Sequence, residues 1–457
     1  MGFCVRRHKE IKDFKPQVFF KCYGNIEING KPMRISHNED RAMKKGVAEE
    51  RKKRILGNME GTITDVRTKE STKPKPEGLN TVELLKHASS HLGIGPHDAM
   101  KAAEKLYLSG YVTYPRTEST KYPSTFDFKA VVNSLQRSHP NSDLKTYCSS
   151  LLAGAMSNPK KGTDAGDHPP ITPSTNVPNL NSLSWDEERL YDFICRNFLA
   201  TVSQDAKMSK TNATFVFGKD SFSIEGLIMV KKAFYEIVNW SSPATKTIPE
   251  LKQGSKVTML AVDIEEGVTE APEYLSESEL IEKMEKFGIG TDASVASHIH
   301  NICERGYVSV TGQKRRLVPS SLGLALCESY AEIDNDLVAA ELRGKIEGWV
   351  NQIANGKSKY EDIVRDVLKI FKDKFIKFTE NIGRSDKIFG KSFTSFEAAA
   401  DNAKLWTKCG DCHKFMKIVH NYNKIICESC NNKTYILPRN AKYRIMEGVR
   451  CTKDKFE

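Results

Sequence analysis

Strand-like text stands on both sides of a long helical block, and that arrangement limits the fold more than any other feature. From 18 to 35 the text alternates like a strand pair, with Val18, Phe20, Cys22, Ile26 and Ile28 preceding Asn29-Gly30, a type I′ hairpin signal. Strand text returns at 214–217 and 222–224 across Gly218-Lys219-Asp220, and again at 257–264. Between them the text is helical. Asn80-Thr81-Val82-Glu83 reads as a helix start, with Asn80 as N-cap and Glu83 reaching back to it. A second helix begins near Pro96 and stops at Gly110, with Ala99, Ala102, Ala103 and Leu106 along one side. Two β stretches flanking one helical block predict a single β domain with the block inserted into it.

The fold class expected is therefore α+β and multi-domain. The expected partition is 18–74 and 206–275 as one β-rich domain, 75–205 as the inserted helical domain, and 276–388 as a second helical domain. A Cys-rich module at 405–436 and a further stretch at 437–457 complete the chain. The polar, Lys-rich stretch after the first hairpin ends in Lys73-Pro74-Lys75-Pro76 and reads as a linker. Residues 155–184 read as one long loop rich in Pro, Gly, Asn and Asp, and from about 277 to 382 the text is mainly helical.

With 39% hydrophobic residues among 457, the chain can bury several cores. A formal net charge of +11 fits a phosphate-bearing partner, and equally a solvated Lys-rich surface. No stretch approaches the ~20 apolar residues of a membrane span, and Met1-Gly-Phe-Cys-Val-Arg-Arg7 lacks an apolar signal core. Cys4, Cys22, Cys148, Cys195, Cys303 and Cys327 are solitary and read as buried thiols, a pattern of reducing compartments.

Cys409-Gly-Asp-Cys412 and Cys427-Glu-Ser-Cys430 are separated by the fourteen residues 413–426. Two Cys-x-x-Cys knuckles at this spacing can surround one tetrahedral Zn2+. Lys414, Phe415, Lys417, His420, Tyr422 and Lys424 lie between them, so the module either binds nucleic acid or only packs. Cys451 resembles the first ligand of another such module.

Tyr111-Val-Thr-Tyr114 follows the helix end at Gly110 and reads as a short strand that Pro115 terminates, presenting Tyr114 at a surface. Arg116, two residues on, would lie on the same side and could hold a phosphate through its fork. A free phenol ionises near ~10, so attack on a phosphodiester needs cations aimed at its non-bridging oxygens.

The string Leu108-Ser-Gly-Tyr-Val-Thr-Tyr-Pro-Arg-Thr-Glu-Ser-Thr120 resembles the active-site segment of type IA topoisomerases. Asp164-Ala-Gly-Asp-His-Pro-Pro-Ile-Thr-Pro173 resembles the family's histidine motif, and Gly288-Ile-Gly-Thr-Asp-Ala-Ser294 with Arg305-Gly-Tyr-Val308 resembles its strand-binding domain. Together with the Cys-Gly-x-Cys-His-x-Phe-Met-Lys tail, these segments are most similar to the beta branch of eukaryotic topoisomerase III, from Gly2 to the last residue.

The resemblance implies a clamp-like body in which a β-rich arch carries the inserted helical domain, 1–17 completes the helical strand-binding domain at 276–388, and a zinc ribbon follows. It implies that Tyr114 attacks a backbone phosphate, becomes linked to the 5′ phosphate and leaves a 3′ hydroxyl, so that resealing needs no nucleotide triphosphate. No Walker-type loop occurs in the sequence. By the same resemblance, His168 assists at the scissile phosphate, either as a donor to oxygen or as a proton shuttle. Thr291, Ser294 and Arg305 would touch the bound single strand. Glycines followed by Thr and Ser at a helix start also make a phosphate seat of free amides.

The family further implies relaxation of negatively supercoiled DNA, action on RNA, a Tudor-domain scaffold partner and a place in the nucleus, with the cytoplasm a second location. Oligomeric state is left open. It also implies Mg2+ held by a Toprim domain, which would already have passed before Met1. Asp334-Asn-Asp336 reads as solvated surface and offers no substitute. The expectation is thus a topoisomerase whose metal domain lies outside this chain. The alternative is a cleavage-incompetent protein that only binds single-stranded nucleic acid, and sequence upstream of Met1 separates the two.

Overall fold

The computed structural model describes residues 1–436 apart from positions 29, 40, 239, 241, 400–404, 410, 413–414, 420–423, 428–429 and 431–432. Asn29 of the hairpin, Lys414, His420 and Tyr422, and the 437–457 stretch with Cys451 lie outside the described residues. Two compact units emerge, one of Met1–Gly323 with Ala339–Val364, the other of Leu324–Val338 with Arg365–Glu457. The division falls inside the 276–388 stretch, which is shared between both units.

An N-terminal helix, α1 (Gly2–Asp13), leads into the first strands, β1 (Val18–Ile28) and β2 (Lys31–His37). Helix α2 (Lys45–Leu56) and strand β3 (Glu60–Lys73) follow, and β4 (Ala206–Phe217), β5 (Asp220–Lys231) and β6 (Lys256–Val268) come after the helical block. The six strands close one barrel in the order β1-β2-β5-β4-β3-β6. Closure leaves no open edge. Ile26, Ile35, Ile63, Phe215, Phe217 and Phe222 fill its interior, each essentially fully buried. Each such side chain contributes about 1.5–3 kcal/mol by leaving water.

The Lys-rich stretch before Pro74 is not a linker. It contains α2 and the 14-residue β3, which pairs with β4 as far as Lys73↔Ala206. Only Gly61 and Ile63 of β3 are buried, so most of the strand lacks the alternation that marks strands in sequence. Its ladder of backbone hydrogen bonds holds it instead.

The inserted block comprises α3 (Thr81–His87), α4 (Pro96–Leu108), α5 (Phe128–Ser138), α6 (Ser142–Ser150) and α7 (Trp185–Thr201). Asn80 caps α3 by accepting from Glu83 N, but the Glu83 carboxylate turns to Lys86 rather than back to the cap. On α4, Ala99, Ala102, Ala103 and Leu106 face a continuous core with Leu190, Tyr191, Phe193 and Phe198 of α7. Ser184 and Glu187 form a reciprocal capping box at the start of α7.

After the barrel come α8 (Glu277–Lys286) and α9 (Val295–Glu304), then a hairpin of β7 (Val308–Thr311) and β8 (Arg316–Pro319). The hairpin interrupts text that reads as helical, because each strand is only four residues long and the turn holds Gly312 and Arg315 at positive φ. Helices α10 (Ser321–Ile333), α11 (Ala340–Ala354) and α12 (Tyr360–Ala399) follow. Helix α1 packs back here, with Phe3 against Phe287 at 5.3 Å and Arg7 donating to Glu273 O at 2.6 Å. No helix among the described residues is long and apolar enough to cross a membrane.

A Cβ on Gly344 of α11 would sit 2.1 Å from the carbonyl oxygen of Phe287, immediately before the Gly288 turn. Gly344→Ala should therefore destabilise the first unit by about 1–3 kcal/mol, as overpacking does. Thermal denaturation reads this directly, and an unchanged midpoint refutes the contact.

In the second unit, Asp334 caps a short 3-10 turn by accepting from Asp336 N, and Lys374 bonds both carboxylates at 3.1 and 2.8 Å. Asp334 is only 12% exposed and sits in an ion-pair knot rather than at a solvated surface, whereas Asp336, at 61%, is exposed as its sequence suggested. Strands β9 (Leu405–Lys408), β10 (Phe415–Val419), β11 (Lys424–Cys427) and β12 (Lys433–Ile436) form an antiparallel sheet in the order β12-β11-β10-β9.

Candidate active site

Helix α4 ends where Gly110, at φ +74, turns the chain, a conformation that glycine adopts without steric cost. No strand forms at 111–114. Val112 makes one isolated bridge to Pro173, and Thr113 binds the same loop through Thr113 N to Thr172 O at 2.9 Å and Thr113 Oγ1 to Pro170 O at 3.0 Å. These bonds fasten the tyrosine segment to the loop that carries His168. The half-buried Tyr114 meets the His168 ring edge to face at 4.5 Å, with Tyr107 on another side at 5.1 Å.

Two further anchors fix this pair. Thr81 Oγ1, at the start of α3, donates to Pro115 O at 2.6 Å and accepts from Thr117 N at 2.8 Å. Asp167, beside the exposed His168, accepts from Ser119 Oγ at 2.5 Å and Glu118 N at 2.6 Å. Burial pushes the Asp167 carboxyl upward, but the bonds from Ser119, Glu118 N and Thr117 outweigh it and hold the group below its ordinary range. Glu118 is displaced the other way, raised by burial and by the charges of Asp292 and Asp167. The tyrosine segment, the histidine loop and the loop before α9 thus bring acidic groups together.

Arg116 does not stand free beside Tyr114. Its Nε and Nη2 donate to Glu104 Oε1 on α4 at 3.0 and 2.5 Å, and Nη1 donates to Ala293 O at 3.1 Å. The Gly288–Ser294 loop is also more closed than its glycines suggest. Ser294 N and Val295 N both donate to Thr291 O, and Ser294 Oγ accepts from Thr291 N at 2.9 Å. Those amides are engaged in a turn, so the seat of free amides expected there is partly filled. Thr291 and Ser294 adjoin one another, whereas the exposed Arg305 caps the opposite end of α9. Ten helical residues place it roughly 15 Å away.

The structure thus joins Tyr114 to His168, and Arg116 to the Thr291–Ser294 loop, but leaves Arg305 apart. Sequence reasoning missed Glu104 as the partner of Arg116 and Asp167 as the anchor of the histidine loop. Asp167 had a signal in its place next to His168; Glu104 had none.

In the second unit the four cysteine sulfurs lie within 4.8 Å of one another, the only such cluster of three or more metal-binding side chains among the described residues. Cys409 and Cys430 Sγ are 3.8 Å apart, and Cys412 and Cys427 Sγ 3.5 Å. A tetrahedral Zn–S length of about 2.3 Å requires S–S edges of about 3.8 Å. The thiols are therefore spaced to hold zinc. The Cys412 amide pulls the Cys409 thiol below its ordinary range, while hydrogen bonds within the cluster push the Cys430 thiol up.

A family model described as DNA topoisomerase matches residues 1–365. The chain belongs to the DNA topoisomerase family. A second model, the DNA topoisomerase 3-beta zinc ribbon domain, matches 401–440 of this topoisomerase chain. DNA topoisomerase 3-beta of Oryza sativa subsp. japonica is 39% identical over 459 residues, covering 100% of this chain and 52% of that protein. DNA topoisomerase 3-beta-1 of Homo sapiens is 38% identical, covering 100% and 52%. DNA topoisomerase 3-alpha of Homo sapiens is 31% identical, covering 94% and 43%. The topoisomerase chain spans about half the length of the curated relatives it matches. Full-length topoisomerase I from Thermotoga maritima superposes with a TM-score of 0.64 at 20% identity, covering 98% of this chain and 71% of its own. That likeness establishes the type IA fold of the body.

Proposed function

We propose that this chain carries the strand-cleaving and strand-holding body of a type IA topoisomerase of the III-beta kind. The observation that carries the reading is the pairing of Tyr114 with His168 at 4.5 Å, from two separate loops, within a chain of this family. The Tyr114 oxygen attacks a backbone phosphorus of a single strand, forming a 5′-phosphotyrosyl bond as the bond to the 3′ oxygen breaks. The phenol proton ends on the departing 3′ oxygen, and His168, whose ring contacts that of Tyr114, moves it. Resealing reverses both changes, so the bond energy is retained and no nucleotide is consumed. Arg116 holds the phosphate through its fork.

Mg2+, when bound by the family's acidic domain, supplies further charge at the phosphate. Among the described residues no acidic cluster fits it, and the steps above use only this chain's own groups. Single-stranded DNA is the proposed substrate, with RNA a second one. A Tudor-domain scaffold partner and a nuclear location belong to the same reading through family likeness alone.

Binding is the first test. Affinity for a labelled single strand should fall steeply with salt, because each phosphate contact releases a counterion. Arg305→Ala should weaken binding at every sequence and reduce the salt slope by about 0.7, one single-strand contact. An unchanged slope makes Arg305 structural. The covalent step is tested by denaturing detection of protein attached to the strand's 5′ end, and attachment through a 3′ end would refute the reading.

A further inference from the structure

Arg116 ties three segments together: α4 through Glu104, the tyrosine segment to which it belongs, and the loop before α9 through Ala293 O. Its Nε–Nη2 edge, one of the two edges able to grip a phosphate in paired fashion, is occupied by a carboxylate oxygen of Glu104. The Arg116 side chain is 28% exposed and that of Glu104 39%. An ion pair this exposed is weak and can be exchanged for a better anion.

We propose that Glu104 is a displaceable latch, a positioning residue that holds the Arg116 fork in place until a strand phosphate takes it over. This rests on the functional reading above and adds the residue that controls it. A phosphodiester presents two non-bridging oxygens with the spacing of a carboxylate, so it competes for the same donors. With a strand bound, Arg116 moves its fork to phosphate while its link to Ala293 O reports the change to the loop holding Thr291 and Ser294. Glu104 therefore lowers affinity for the strand and makes engagement of Arg116 conditional on a phosphate at that position.

The exchange has a signature in salt dependence. When Arg116 passes from carboxylate to phosphate, one counterion leaves the strand but one is taken up by the freed Glu104, so the step adds little net slope. With Glu104→Gln there is no uptake, and the contact appears in full.

The test measures binding of a fluorescently labelled single-stranded oligonucleotide to the full chain, across salt concentrations, in a double-mutant cycle. Glu104→Gln should tighten binding at low salt on the order of fivefold, the range of an exposed pair. It should also steepen the salt slope by about 0.7. Both effects should vanish in an Arg116→Ala background, and Glu104→Asp, which keeps the charge, should leave the slope at its original value. An equal gain from Glu104→Gln in both backgrounds would mean only that a negative charge was removed, and overturns the latch. Weaker binding by Glu104→Gln overturns it as well. If the unsubstituted chain binds no single strand, the functional reading itself fails, an outcome distinct from strong binding with additive substitutions.

Discussion

Tyr114→Phe abolishes the 5′-linked protein–strand adduct while single-strand affinity stays within about twofold of the original. Only the phenol oxygen is lost, and that oxygen is the proposed nucleophile. The ring that packs against His168 at 4.5 Å and Tyr107 at 5.1 Å remains, as do the Thr81 and Thr113 hydrogen bonds that position the segment. Among the described residues no hydrogen bond of the site depends on the hydroxyl, so binding and chemistry separate cleanly. Because no acidic metal cluster lies among the described residues, the assay supplies Mg2+ and a type IA Toprim domain together with the chain. The readout is labelled strand retained by denatured protein, and an adduct that persists in Tyr114→Phe places the nucleophile elsewhere.

Removing zinc unfolds the ribbon. Its apolar core among the described residues is Met416 and Ile425, with Cys409 and Cys427, which is too small to hold four short strands. Structural zinc in modules of this size is worth about 10–16 kcal/mol of apparent binding energy near neutral pH. Metal analysis of reduced protein should give about one zinc per chain. Chelation, or Cys427→Ser, should expose the amides of Lys424–Cys427 to hydrogen exchange while the β1–β6 barrel keeps its protection. Acidification should release the metal by protonating the thiolates. A chain free of zinc with its ribbon amides still protected would overturn the assignment.

Much of this protein was legible because its signals are local. The alternation at 18–28 marks the first strand of a hairpin, and Gly110 marks the end of α4, since one strand face or one turn suffices to make each pattern. The two Cys-x-x-Cys knuckles name their own partners, because four thiols in so short a segment can satisfy one ion. The Tyr114 string and the His168 loop carry recognisable residues, although only the fold sets them ring against ring.

What escaped has the opposite character. Strand β3 is polar along most of its length, and its ladder with β4 bridges residues more than a hundred positions apart. Asp334 looks like surface until Lys374, on a distant stretch of the chain, closes over it. The fork of Arg116 turns from the expected phosphate-holding posture to Glu104 and Ala293 O, and Arg305 ends a helix length from Thr291. The sequence by itself determined the four cysteines that cluster and the β-helix-β order of the chain. Tertiary structure alone decided which charges meet, because an ion pair between remote elements leaves no periodicity in either partner, and its existence depends on distances that only packing sets.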